Sequence, residues 1–167
     1  MAKEEQHHLT PSQLADRVWE LAEKIQFCLY TSVKGGRLQQ WPLTATAERD
    51  ERAFYFLVGQ QGGKYTNLGK APEVVLGFAD PGGPKYVVIN GTAKLSNDRS
   101  KIKELWTPFA KAWWDSEKDP DIRLLTVTPL EAELWDSPSK LIASAIMLTA
   151  AVTGAKPAVG DHGAVRL

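Results

Sequence analysis

Phe27-Cys28-Leu29-Tyr30-Thr31-Ser32-Val33, Lys34-Gly35-Gly36, and Arg37-Leu38-Gln39-Gln40-Trp41-Pro42-Leu43-Thr44-Ala45-Thr46 form the stretch that decides the fold. Two β-prone runs flank a connection short enough for a tight hairpin, so they pair antiparallel. The same alternation of short runs and turn residues continues through Ala53 to Val58, Glu73 to Ala79 and Lys85 to Leu95. Asp80-Pro81-Gly82-Gly83-Pro84 joins two of these, and its prolines cannot donate to a central ladder. Ile122 to Trp135, interrupted at Pro129, supplies a sixth run rich in leucine, valine and threonine. Closing six such strands on themselves removes the exposed edges, so the expected architecture is a six-stranded antiparallel barrel.

Helices are expected around it. Thr10-Pro11-Ser12-Gln13 has the residues of a reciprocal cap, and Leu14, Val18, Leu21, Ala22 and Ile25 follow at helical spacing. Lys64 to Lys70 reads as a short insert, and Asp98 caps a second that carries Ile102, Leu105, Trp106 and Phe109 and ends near Trp113 and Trp114. Ser139 begins a last helix through Val152, which is apolar on more than one face and should be buried against the barrel or another subunit. Residues 1–9 and 155–167 read as mobile tails on a single domain spanning 1–167.

Twenty basic residues balance twenty acidic ones among 167, so no charge excess favours nucleic acid or an anionic membrane. The longest apolar stretch, Leu141 to Val152, is shorter than the roughly 20 residues that cross a bilayer. Lys3, Glu4, Glu5, His7 and His8 precede any apolar run, the wrong order for a secretory signal, so a cytoplasmic protein is expected. One cysteine, Cys28, rules out a disulfide within the chain and reads as a small buried hydrophobe.

The residues that could carry chemistry are few. His7, His8 and His162 fall in the expected tails, which argues against a positioned base or a metal site. Glu131, Glu133 and Asp136 read as solvated charges at a sheet edge. Val58-Gly59-Gln60-Gln61-Gly62-Gly63-Lys64-Tyr65-Thr66-Asn67 is more informative: glycines allow close backbone approach, free amides open the following helix, and Lys64 adds a cation. That combination suits a phosphate, and equally describes a solvated loop. Trp41, Trp106, Trp113, Trp114 and Trp135 lie near strand ends or in the second insert, as core or interface anchors or as walls for a flat ring.

In order along the chain, Val88-Ile89-Asn90-Gly91-Thr92-Ala93, Glu104-Leu105-Trp106 with Trp113-Trp114, Asp119-Pro120-Asp121-Ile122, and Ala132-Glu133-Leu134-Trp135-Asp136-Ser137-Pro138 resemble the general stress branch of the pyridoxamine 5'-phosphate oxidase-like family of FMN-binding split barrels. The resemblance implies a split β-barrel that forms a homodimer with FMN at each subunit interface. It implies that Trp41, Pro42, Leu43 and Thr44 run beside the flavin ring, that Val58, Gly62, Gly63 and Lys64 serve its phosphate side, and that Trp135 reaches in from the partner chain. The chain departs from the family where Arg-Pro-Met is replaced by Trp41-Pro42-Leu43, and where a Thr and then Ser-Arg-Lys are replaced by Val58 and then Gly62-Gly63-Lys64. Charge-assisted bonds to phosphate contribute roughly 1.5 to 3 kcal/mol each, so losing two would weaken FMN on the order of a hundredfold.

Two functions follow as expectations. The first is a flavin-dependent oxidoreductase in which the cofactor carries the redox chemistry and the protein orients it. The second is a non-enzymatic, stress-associated dimer with a degenerate flavin site, which the missing arginine, threonine and serine favour. Oxidation of vitamin B6 is a weaker third, because Arg166 stands alone where a second phosphate would need a basic pair.

Overall fold

A computed structural model of the chain describes residues 9–61, 72–138, 140–154 and 160–167, without the side chains of 140–143. Helix α1 (Pro11–Ile25) opens on the expected capping box: Thr10 Oγ1 accepts from the Gln13 amide at 3.2 Å and the Gln13 side chain accepts from the Thr10 amide at 2.9 Å. The strands are β1 (Phe27–Lys34), β2 (Arg37–Thr44), β3 (Thr46–Glu48), β4 (Ala53–Gly59), β5 (Glu73–Asp80), β6 (Lys85–Ser96), β7 (Ile122–Asp136) and β8 (Asp161–Arg166). Between β6 and β7 lie α2 (Arg99–Glu104), capped by the Asp98 side chain at the Lys101 amide, and a 3-10 turn (Pro108–Ala112). α3 (Lys140–Thr153) stands between β7 and β8.

The neighbour order is β2-β1-β5-β6-β7-β4-β3, all antiparallel, with β8 added beside β7. The two ends of that path are consecutive pieces of one strand, broken only at the buried Ala45, whose amide donates to the Gln26 carbonyl at 2.8 Å. A sheet whose first and last strands are continuous in sequence curls round on itself into a barrel. The hairpin between β1 and β2 turns at Gly35 and Gly36, both at positive φ (59° and 73°), a conformation that side chains resist.

The described chain has eight strands, where six were expected. The run Arg37 to Thr46 divides at Ala45, because the strand bends there to change neighbours from β1 to β4. β8 is new: residues expected in a mobile tail pair with β7 from Glu131↔Arg166 to Asp136↔Asp161. Leu9, also assigned to a tail, packs against the core. Pro129 does not interrupt β7, since the ladder with β6 skips one residue there, passing from Asn90↔Glu131 to Gly91↔Pro129 with Leu130 bulged outward.

Alternate residues of every barrel strand turn inward, including Tyr30, Phe54, Phe56, Leu76, Phe78, Ile89, Leu125 and Leu134, and the apolar face of α1 closes one end. Trp19 of α1 stacks on Phe54 with ring centroids 4.6 Å apart. A second apolar cluster lies outside the barrel wall, where Ile102, Trp106 and Trp114 of the insert cover Leu57 of β4 and Leu124 of β7. Trp113, expected as an anchor, is exposed.

Asp136 corrects the reading of the acidic group as edge charges. β7 is flanked by β6, β4 and β8, and Asp136 at its end accepts hydrogen bonds from Arg17 of α1 and Lys85 of β6. Burial alone would raise this carboxyl, but the two cations more than reverse that and hold it below the ordinary carboxylate value. Glu131 and Glu133 remain exposed.

Candidate functional site

The closure is incomplete along one line. β3 pairs with β4 through Thr46↔Tyr55, Ala47↔Phe54 and Glu48↔Ala53. Past Tyr55 the two strands part: among the described residues, β2 has β1 as its strand neighbour and Phe56–Gly59 have β7. The second edges of β2 and β4 therefore border a shared opening, and continuing the β3–β4 register would set Leu43 level with Val58. A strand edge is a place where a ligand can meet backbone groups.

The residues expected here divide. Pro42 and Thr44 are exposed on β2, whereas Trp41 and Leu43 are half-buried and lean on the core, Trp41 with its ring 6.2 Å from Tyr30. Val58 is buried, with its side chain in the barrel core. Gly62, Gly63 and Lys64, and the short helix expected over Lys64 to Lys70, lie outside the described residues. Trp135 lies on β7, which is not a strand neighbour of β2. It lies on the outer face of β7, paired with Tyr86 and stacked on His162 at 4.8 Å. His162, expected in a frayed tail, is thus fixed on β8.

Two residues that sequence reasoning missed organise the mouth of the opening. Asp121 takes the Gln61 amide on Oδ1 at 2.8 Å, and its carbonyl takes the Gln60 amide at 2.9 Å, so it holds the chain where the glycine-rich segment begins. The absence of a Cβ at Gly59 makes room for this, because an alanine Cβ would lie 2.8 Å from Asp121 Oδ2. Asp121 is itself set by Asp119, whose Oδ1 accepts its amide at 2.8 Å, and by Arg99, which donates to the carbonyls of Glu117, Asp119 and Ile122. Arg123 is the second: it pairs with Val58 across the ladder and folds its guanidinium onto the carbonyls of Pro120 and Ile122, both at 2.8 Å. Asp119-Pro120-Asp121 was visible as a motif, but its contact with Gln60 and Gln61, sixty residues away, was not.

Cys28 is buried in β1, and desolvation pushes its thiol up to about 12, so it stays protonated and supplies no nucleophile. A separate open groove of about 620 Å³ lies on the outer sheet face, between Val33, Leu38, Val75, Asn90, Leu130 and Arg166.

A closed antiparallel barrel, split along one edge beside a glycine-rich connection, defines a small class of β proteins. The model of the family described as pyridoxamine 5'-phosphate oxidase like matches residues 13–158, and the chain belongs to that family. It is 28% identical over 68 residues to general stress protein 26 of Bacillus subtilis, a match that spans 40% of this chain and about half (49%) of that protein. Among solved structures, a Jannaschia protein assigned to general stress protein 26 superposes with a TM-score of 0.78 at 23% identity, covering 95% of this chain and all of its own. The general stress FMN/FAD binding protein of Xanthomonas citri superposes with a TM-score of 0.68 at 22% identity, covering 77% of this chain and 92% of its own. Likeness at these identities speaks for the fold.

Proposed function

We propose that this chain is a flavoprotein that binds FMN in the opening between β2 and β4 and works as a flavin-dependent oxidoreductase, with two copies forming a homodimer around the cofactor. The observation that carries the reading is the split itself, with two strand edges flanking it and the Gly59–Gln61 turn pinned at its mouth by Asp121. The family supports it, as does the FMN/FAD binding named for the Xanthomonas citri relative.

The described residues fit such a ligand. Pro42 and Thr44 are exposed on a strand that borders the opening, and Arg123 brings a cation next to Val58 where the family threonine is missing. Lys64, four residues beyond Gln60, would serve the phosphate as the main side-chain cation. When bound, FMN accepts and returns electrons or hydride, so the protein needs no histidine or cysteine of its own for that step. The chain's residues orient the ring, exclude water from one face of it and neutralise the phosphate. Trp135, on the outer face of β7, would reach the cofactor held by the other copy.

Purified protein should be yellow with a flavin spectrum, should quench added FMN fluorescence in a saturable way, and should scatter light as a dimer at micromolar concentration. A colourless protein that leaves FMN fluorescence unchanged would overturn the cofactor. A monomeric mass would overturn the shared site.

The second reading, a non-enzymatic dimer with a weak flavin site, rests on the buried Val58, which replaces a hydroxyl with an apolar wall. It expects FMN uptake without oxidation or reduction of any added donor.

A further inference from the structure

The segment between β7 and β8 leaves the sheet and returns to it at one place. Asp136 and Asp161 are cross-strand partners, so the two roots of residues 137–160 stand about 5 Å apart. Most of that excursion is α3, and the sequence carries no charged residue from Leu141 to Gly154. Two of its hydroxyls are spent on the helix's own backbone: Thr149 Oγ1 donates to the Ala145 carbonyl at 2.9 Å and Thr153 Oγ1 to the Thr149 carbonyl at 2.8 Å. A helix apolar around its circumference belongs in a protein interior. Yet Met147 is 55% exposed, Leu148 69% and Val152 80%, so the described part of α3 stands off its own barrel. Burial against that barrel, one of the two arrangements expected from the sequence, is thereby excluded for these side chains.

We propose that α3 is an exchanged arm that packs against a second copy of this chain. The inference rests on the homodimer proposed above and names what holds it together. A membrane fits the helix poorly. Its 14 residues reach about 21 Å against a hydrocarbon core of about 30 Å, and after Lys140 at its start it has neither the polar face nor the row of basic residues of a helix lying in a lipid surface. Another copy fits well, because the outer sheet face of the same chain is also uncovered and apolar. Phe27, Leu29, Val33, Leu38 and Leu130 are exposed there, and the open groove lies among the last three. The face runs on through Tyr86 to Trp135, next to the root of the arm, so one twofold association covers both surfaces twice.

The paired roots supply the test. Residues 137–160 can be replaced by a two-residue turn that joins β7 to β8 as a hairpin, leaving the barrel intact. Sedimentation velocity over a concentration series should show the excised chain dissociating at least a hundredfold more readily than wild type, with its far-UV circular dichroism still that of a folded β protein. In the full-length chain, Leu148→Glu with Val152→Lys should weaken the dimer tenfold or more, which decides the matter if the excised chain does not fold. An unchanged dimer constant in the folded excised chain, or in the double variant, overturns the arm and leaves the homodimer standing. A monomeric wild type overturns both. Binding of wild type, but not of the excised chain, to phosphatidylcholine vesicles with no change in dimer constant assigns α3 to lipid and overturns the proposal.

Discussion

Asp136 and Asp121 flank β7 at its two ends and are engaged by different kinds of partner. Asp136 meets two cations, Arg17 and Lys85, and its side chain is only 14% exposed. Asp121 meets backbone amides at Gln60 and Gln61, at the rim of an opening. The first joins α1, β6 and β7 into one body, and its loss would take the carboxylate from Lys85 and leave Arg17 with Glu20 alone. The second fixes where a loop starts, and its loss would leave the barrel standing while freeing that loop. The same residue type thus serves stability at one end and placement at the other, and partner and burial distinguish the roles.

The largest effect should come from Asp136→Ala. Hydrogen bonds to charged groups contribute about 1.5 to 3 kcal/mol, and removing Asp136 takes the carboxylate from a partly buried Lys85 while Arg17 keeps Glu20. Urea unfolding should show a loss of about 2 to 3 kcal/mol, with FMN affinity per folded molecule unchanged. The pH dependence has a definite sign. The folded carboxyl titrates below its unfolded value of about 3.9, so its contribution is complete above that pH and drains away as pH falls further. Asp136→Asn should therefore flatten the acid limb of the stability profile below about pH 4. A variant as stable as wild type at neutral pH would break the contrast from the stability side.

At the other end, Lys64→Ala should act on the proposed ligand alone. Lys64 follows the turn that Asp121 holds, and no second cation lies beside it in sequence. FMN affinity should fall about ten- to a hundredfold, with little change in folding because a solvated lysine contributes little to it. Fluorescence titration of wild type and variant gives the comparison, and equal dissociation constants would remove Lys64 from the site. Arg123, the cross-strand partner of Val58, sets the lower end of that range if it shares the phosphate.

Asp121→Ala should fall between these and cross over in kind. It loses the Oδ1 bond to Gln61 and keeps the backbone bond to Gln60, costing about 1 kcal/mol of folding stability. FMN should bind about tenfold more weakly, equivalent to roughly 1.4 kcal/mol. Asp121→Asn retains an acceptor oxygen and should recover most of the affinity. Failure of that rescue would mean that charge, and not placement, matters at this end.

What the sequence disclosed follows from how far each signal reaches. The cap at Thr10 and Gln13, the hairpin at Gly35 and Gly36, and the β-prone runs of β1, β5 and β6 are set by near neighbours, and all were legible. β8 was not, because Asp161-His162-Gly163-Ala164-Val165-Arg166 has little β propensity of its own and is a strand only because β7 offers it an edge. The bend at Ala45 was hidden for a related reason, since it depends on which neighbour each half of the strand finds. For the site, Trp41 to Thr44 could be named from resemblance, whereas the burial of Val58 and the reach of Asp121 depend on strand register. That register is a property of the closed sheet and is written in no single segment.

The smallest effect expected is also the sharpest probe of the Asp121 end. Gly59→Ala places a Cβ 2.8 Å from Asp121 Oδ2 and near no backbone atom, so the strain falls on the far end of a side chain that can turn aside. Turning it lengthens the bond from the Gln61 amide to the other oxygen without breaking the backbone link at Gln60. Folding stability should change by less than about 0.5 kcal/mol, as for substitutions with a soft neighbour, and FMN affinity by no more than about threefold. The informative quantity is the coupling. If the alanine acts through the carboxylate, its effect on FMN binding should vanish in an Asp121→Ala background, where the added methyl group has nothing to displace. If it acts by stiffening or tilting the strand itself, the two losses should add. Titrating FMN against wild type, both single variants and the double variant closes that cycle, and strict additivity would detach Gly59 from Asp121 and return it to the role of a plain strand-end glycine.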